Sequence, residues 1–270
     1  MDKYLVGGKK WRLKNIDPDD MGKFKGGSGR EKCEAKTAKL YERIAELQEI
    51  LFASQSRALL VVFQAMDGSG KDSAIKYIFQ ECSPNGIRVA YFKAPTSLEL
   101  SHFYLWRIHA VLPPKGIVGV LNRSHYEDVL VTRVRKWVSD KQAAKRFKQI
   151  RGFEEMLTEE GTSILKFNFV ISKEEQAIQL QERIDDPTKR WKFNLGDLEE
   201  RKLWDTYMEM YEEAMLETST AVAPWYAVPG NNRWYRNYVI ASIIVETLEA
   251  MKLEYPTPKG EIDWANLKVQ

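Results

Sequence analysis

The apolar run Ala58 to Phe63 passes without a break into Gln64-Ala65-Met66-Asp67-Gly68-Ser69-Gly70-Lys71-Asp72-Ser73. Together they read as a buried strand, a glycine-rich loop and a helix start. This feature holds the chain to an α/β plan, because a strand with no polar face needs cover on both sides and the loop must lie at its carboxyl end. Gly68 and Gly70 let backbone N–H groups turn toward one point, the following helix aims its positive end there, and Lys71 adds a full charge. A phosphoryl group is the natural ligand, with Ser69, Asp72 and Ser73 beside it. The string departs from the common G-x-x-x-x-G-K-[ST] pattern: Ala65 replaces the first glycine, Asp72 takes the hydroxyl position and Ser73 comes one place late. Taken alone, it also fits an ordinary turn before a helix.

The rest of the chain alternates helix and strand signals. Met1 to Gly27 reads as an irregular arm, and Ser28-x-x-Glu31 as a capping box for a helix with Leu40, Ile44, Leu47 and Leu51 on one face. A helix carrying Ile75, Ile78 and Phe79 follows the glycine loop and stops at Pro84-Asn85-Gly86. Arg88 to Phe92 is a second strand. Thr96-x-x-Glu99 opens one helix that Pro113-Pro114 ends, and Ile117 to Leu121 is a third strand. Ser139-x-x-Gln142 opens a long helix closed by Gly161, Ser163 to Ile171 is a fourth strand, and Ser172-x-x-Glu175 starts the next helix. Asp197-x-x-Glu200 caps another, Trp225 to Val228 is a fifth strand, and a last helix spans about Trp234 to Met251. The expected architecture is a three-layer α/β/α phosphate-loop fold with a five-stranded parallel sheet and ligands at the carboxyl ends of its strands. One catalytic domain, 28–255, would hold a helical lid at about 183–203, with a tail at 256–270.

A second polar cluster, Asn122-Arg123-Ser124-His125-Tyr126-Glu127-Asp128, closes the third strand. In phosphate-loop enzymes an acid at this place holds magnesium. Here Asn122 stands there without charge, so Asp67, Glu127 or Asp128 must balance a metal, and Arg123 can neutralise a transferring phosphoryl group. The cluster also fits a polar helix start with Asp128 as its cap.

Ala65 to Ile75, Asn122 to Val134 and Arg183 to Leu203, with Ala223-Pro224-Trp225-Tyr226 and Asn232-Arg233-Trp234-Tyr235-Arg236-Asn237, resemble the second family of polyphosphate kinases over about Phe24 to Tyr255. The resemblance implies a fold similar to thymidylate kinase and reversible phosphoryl transfer between inorganic polyphosphate and nucleotides. It also implies magnesium, replaceable by manganese, and assembly as a homo-oligomer. By this resemblance Asp67, Lys71, Asn122, Arg123, Glu127 and Asp128 are catalytic, with Asp67, Glu127 and Asp128 facing the metal. Asn122 with Glu127 resembles the subgroup that phosphorylates both AMP and ADP, yielding ADP and ATP; GMP and GDP are further candidate acceptors.

Arg183, Lys189, Arg190 and Lys192, around Pro187 and Trp191, suit a lid that closes over phosphate, although a solvated basic loop has the same composition. Lys76, Lys93, Arg133, Arg135 and Lys136 suit a groove for a polymeric anion, although individually most such lysines are ordinary surface residues. Trp191, Phe193, Trp225 and Trp234 are candidates for stacking on a base, though aromatic residues more often fill cores. His102 and His109 share one helix face, and His125 either meets phosphate or caps. With 41 basic and 38 acidic residues the net charge is +3, which calls for neither nucleic acid nor a membrane surface. Cys33 and Cys82 are too far apart for a disulfide framework or metal spacing, consistent with a cytoplasmic protein. An ATP-dependent nucleoside monophosphate kinase and a non-catalytic polyphosphate-binding module remain alternatives. Glu127 and Asp128 speak against the second, because an anion binder gains nothing from added negative charge.

Overall fold

Strand β1, Ala58–Gln64, is buried at every residue because it runs through the middle of the sheet. The computed structural model describes residues 1–8, 10–258 and 260. Within them β2 (Ile87–Tyr91), β3 (Val118–Asn122), β4 (Thr162–Val170) and β5 (Trp225–Pro229) complete an all-parallel sheet of order β2-β3-β1-β4-β5. Each strand lies within a residue of its sequence expectation, since apolar β-branched runs bounded by turn residues leave little choice of boundary.

Side chains alternate along β1 and so supply two cores. Leu59, Val61 and Phe63 face helices α1 (Gly29–Ser54), α2 (Lys71–Ile78) and, later in the chain, α10 (Arg233–Ala250), where Ile44, Leu51, Ile78, Val239 and Leu248 close the layer. Leu60 and Val62 face the opposite layer, built by α6 (Asp140–Glu159) and α9 (Trp204–Thr218) with Phe147, Ile150, Tyr211 and Met215. The result is the expected three-layer α/β/α arrangement.

Four local expectations differ from the structure. Helix α2 ends at Ile78 with Phe79 as its C-cap, short of the Pro84-Asn85-Gly86 turn expected to stop it. The single helix expected from Thr96 to the prolines is two short ones, α3 (Ser97–Leu100) and α4 (Trp106–His109). Its capping box forms, with Thr96 Oγ1 accepting from Glu99 N at 3.3 Å, but Ser101 Oγ takes the Leu98 carbonyl at 2.7 Å and the chain turns away. His102 then stacks on Trp106 rather than sharing a helix with His109. Ser28 precedes α1 without a side-chain cap bond, since its φ of −78° and ψ of 17° leave the extended conformation that capping requires. Asp197 does not cap its helix either, as described below.

The N-terminal arm lies along β5. Val6 N donates to the Trp225 carbonyl at 2.8 Å, and Tyr4 Oη donates to Asp20 at 2.6 Å beside Tyr235 Oη at 2.9 Å. The edge strand is thereby covered. Short helix α5 (Val131–Val134) follows β3, and α7 (Lys173–Asp185) follows β4. A 3₁₀ turn at Arg190–Lys192 and α8 (Leu195–Lys202) then lie over the carboxyl ends of the strands. Of the expected tail at 256–270, residues 259 and 261–270 lie outside the described residues. No described helix is long and apolar enough to cross a membrane.

Candidate active site

Parallel pairing sets Phe63 of β1 beside Asn122 of β3, so the glycine loop and the Asn122 cluster leave the sheet at the same level. Gly68 and Gly70 have φ of +87° and +80°, a left-handed conformation that side chains disfavour. Arg123 adopts it as well, at φ +61°. Its N–H bonds the Phe63 carbonyl at 3.0 Å, and its guanidinium turns back to Asp67 Oδ1 at 2.5 Å. The strained turn thus joins the ends of two strands through one charge pair.

Lys71 begins α2 and is only 7% exposed. Its ammonium donates to the carbonyls of Ala65 at 2.8 Å and Met66 at 3.3 Å. Burial lowers its pKa to about 8 against the opposing pull of Asp67. Burial works the other way on the Asp67 carboxyl, but Lys71 and Arg123 outweigh it and hold the group below the ordinary carboxylate range. Asn122 Nδ2 donates to Asp72 Oδ1 at 2.6 Å, which fixes both side chains at the start of α2. Glu127 accepts from Gln64 Nε2, and burial raises its carboxyl above the usual value despite Arg123 and Lys71.

These groups open on a cavity of about 1100 Å³, whose far wall is formed by residues of segment 183–203. Lys93 lines it from just past β2, Arg183, Lys189 and Lys192 from segment 183–203, and Arg233 from the start of α10. Arg183 Nη1 lies 3.2 Å from Asp197 Oδ2. Asp197 turns inward because Asn194, accepting from Gly196 N at 2.8 Å, supplies the cap of α8. Burial raises the Asp197 carboxyl, and Asp67 across the cavity adds to the rise. Trp191 lines the cavity while 78% exposed, and Phe193 follows it there.

Several expected residues are not brought to this cavity. Asp128 points to the other side of its turn, with its carboxylate 3.7 Å from Arg107 and 4.0 Å from Arg146. Arg133 is buried between Asp140 and Glu213, each at 2.8 Å, and is a structural ion pair. Lys76 lies over the Tyr77 ring outside the cavity, and Arg190 donates to the Ile184 carbonyl. Ser69 turns its side chain inward and is 3% exposed. Arg135 pairs with Glu200. Trp225 is core and Trp234 packs against the α10 layer, leaving Trp191 and Phe193 as the aromatic residues of that set on the cavity. His125 neither caps nor faces the cavity; it is 1% exposed, 3.5 Å from Glu154, and Ser124 caps the turn instead.

Gln64, Gln176 and Arg233 were not singled out in the sequence. Gln176 Nε2 bonds the Asp67 carbonyl at 2.9 Å from α7, a contact spanning 109 positions that no local pattern announces. Arg233 lay within the Asn232 to Asn237 stretch that carries the resemblance, and it had a physical signal too: α10 carries no acid in its first turn, where the helix dipole favours one, and carries arginine instead.

Among the described residues no three His, Cys, Asp or Glu side chains are gathered to hold a metal ion by themselves. Asp67 and Glu127 nonetheless line the cavity together. Two carboxylates, with no Cys or His among the described residues that line the cavity, make an oxygen donor set, which fits a hard cation that also takes ligands from phosphate and water.

Comparisons with known proteins agree on one family. Residues 27–256 match the family model for polyphosphate kinase 2. An AMP/ADP-polyphosphate phosphotransferase of Meiothermus ruber is 50% identical over 260 residues, covering 96% of this chain and 97% of that one. An ADP-polyphosphate phosphotransferase of Rhodopseudomonas palustris is 42% identical over 80% of this chain and 78% of its own. The crystal structure of polyphosphate kinase 2 from Arthrobacter aurescens TC1 superposes with a TM-score of 0.92 at 39% identity, over 97% of this chain and 93% of that chain.

Proposed function

The chain belongs to the polyphosphate kinase 2 family, and from that premise we propose that it transfers phosphoryl groups reversibly between inorganic polyphosphate and adenine nucleotides, converting AMP to ADP and ADP to ATP. One observation carries the reading: Lys71, Arg123, Asp67 and Glu127 converge on a cavity roofed by Arg183, Lys189 and Lys192. Phosphoryl transfer needs positioning and charge neutralisation, with no covalent enzyme intermediate, and these are what such residues supply.

In this reading the loop amides and Lys71 hold the phosphoryl group in transit. Lys71 exchanges its carbonyl partners for phosphate oxygens, and Arg123 balances charge as the group passes between donor and acceptor. Asp67 and Glu127 would hold a divalent cation, magnesium or manganese in its place. When bound, that ion neutralises and aligns phosphate oxygens. The lid, 183–203, closes to exclude water that would otherwise hydrolyse the donor. Trp191 and Phe193, which line the cavity, cover the base in this reading.

Incubating the protein with AMP, polyphosphate and magnesium in the absence of ATP tests the proposal. Formation of ADP followed by ATP is expected. Phosphorylation of AMP only when ATP is supplied would make the protein a nucleoside monophosphate kinase, and binding of polyphosphate without transfer would make it a non-catalytic binder.

A further inference from the structure

Arg236 is 0% exposed, yet all its partners are neutral. It donates to the Ser69 carbonyl at 2.8 Å and to Asn237 Oδ1 at 3.2 and 3.0 Å, and its guanidinium lies 4.7 Å from the centre of the Phe169 ring. Among the described residues no carboxylate pairs with it, and the charged group acting on it most is another cation, Arg233. Two other buried cations, Lys166 and Arg133, are paired with carboxylates: Lys166, equally buried, has Glu154 at 2.5 Å, and Arg133 has two. A buried charge without a counterion is unfavourable, and one placed at the positive end of a helix more so.

The location of this charge indicates what offsets it. The carbonyl that Arg236 holds belongs to the glycine loop. A Cβ built on Gly70 would stand 3.1 Å from Arg236 Nη1 and 3.7 Å from Arg233 Nε, so both guanidinium groups lie against the loop on the side of α10. Arg233 also lines the cavity and is exposed, with the neutral side chain of Gln179 as its hydrogen-bond partner.

We propose that Arg233 and Arg236 form a second phosphate subsite on the α10 side of the glycine loop, which takes a further phosphate of an oligophosphate chain. Arg233 contacts the phosphate oxygens. Arg236 is a positioning residue: it holds Ser69 and Gly70 in place and supplies a buried charge whose counterion is the bound phosphate. The subsite rests on the oligophosphate chemistry proposed above, and the chain it binds comes either from inorganic polyphosphate or from a nucleotide.

Calorimetric titration of the full chain with inorganic tripolyphosphate and, separately, with ADP tests this, beside thermal melts without ligand. Arg236→Met is expected to bind at least one of the two about 10-fold more weakly, the loss typical of a charge-assisted contact, and to melt no lower than the parent because an uncompensated charge has gone. The ligand that loses affinity identifies the source of the chain. Arg233→Gln, at an exposed position that does not endanger folding, should weaken the same ligand and flatten the salt dependence of its affinity. Undiminished affinity for both ligands in both variants would overturn the subsite, as would an Arg236→Met protein that melts lower but binds as the parent does. A parent protein that binds neither ligand would overturn the proposed function and the subsite together, whereas parent binding retained in the variants overturns the subsite alone.

Discussion

Arg123 Nη2 lies 2.5 Å from Asp67 Oδ1, so one ion pair links the end of β3 to the loop after β1. Both side chains are about one-third exposed, at 35% and 31%, and the pair faces the cavity rather than the core. Such a pair contributes little to stability, on the order of 1 kcal/mol or less. Its value lies in presenting a carboxylate and a guanidinium to the same ligand. Asp67→Asn should therefore lower turnover by about 100-fold or more while weakening the dependence on magnesium. Rate measured across a magnesium titration checks this. A variant with the parent's titration curve and rate would make Asp67 a turn residue.

Lys71 gives a prediction in pH. Its folded pKa of about 8 lies below the ordinary lysine value of 10.5, so between these values the unfolded chain holds the proton more tightly than the folded one. Below pH 8 the ammonium is charged in both states and the folded protein bears the full cost of burying it, on the order of 3 kcal/mol. That cost is relieved as pH rises from about 8 toward 10.5. The melting temperature of the ligand-free protein should thus rise relative to that of Lys71→Met across this range. Turnover of Lys71→Met at pH 7 should be lower by about 1000-fold, since the charge serves the transition state. A parallel pair of melting curves at every pH would contradict the buried-ammonium account.

Arg183 meets Asp197 rather than open solvent, a pairing that changes what its removal should do. The bond of 3.2 Å joins two residues of segment 183–203 that both line the cavity, and phosphate entering there competes with Asp197 for the guanidinium. Arg183→Ala should raise KM for polyphosphate about 10-fold, as loss of a charge-assisted bond does, and lower the melting temperature by no more than about 2–4 °C. Asp197→Asn should lower that KM, because a competing carboxylate is gone. A large fall in melting temperature with proportionate loss of activity in Arg183→Ala would mark the pair as structural.

The parts of this site legible in the sequence are those set by neighbours in the chain. Apolar runs bounded by turns gave the strands, and Gly68, Gly70 and Lys71 gave the loop, because strand burial and left-handed backbone depend on a few adjacent residues. Adjacency misleads where a turn separates neighbours. Glu127 and Asp128 are consecutive, but the 3₁₀ turn His125–Val129 sends one to the cavity and the other to Arg107. The Asp197-x-x-Glu200 spacing fits a capping box, but Asn194 supplies the cap and leaves Asp197 free to face Arg183. Contacts across the fold leave no local trace: Arg236 reaches Ser69 over 167 positions.

Glu127 carries the most exposed prediction. Gln64, at the end of β1, donates to its carboxylate, and Ser124 Oγ in turn lies 3.3 Å from Gln64 Oε1, so the group is oriented from behind by neutral partners. Its open side faces Lys71, Arg123 and Asp67. A carboxylate so placed can hold a cation or its water shell and admit acceptors whose terminal phosphates lie at different depths, which an uncharged amide does less firmly. Glu127→Asn also shortens the side chain and breaks the bond to Gln64. The ratio of AMP to ADP phosphorylation should therefore change, rather than both rates falling together. Rates for each acceptor at saturating polyphosphate and several magnesium concentrations measure that ratio. An equal loss for both acceptors would assign Glu127 a general role in catalysis or structure, and an unchanged profile would leave its carboxylate a partner of Gln64 alone.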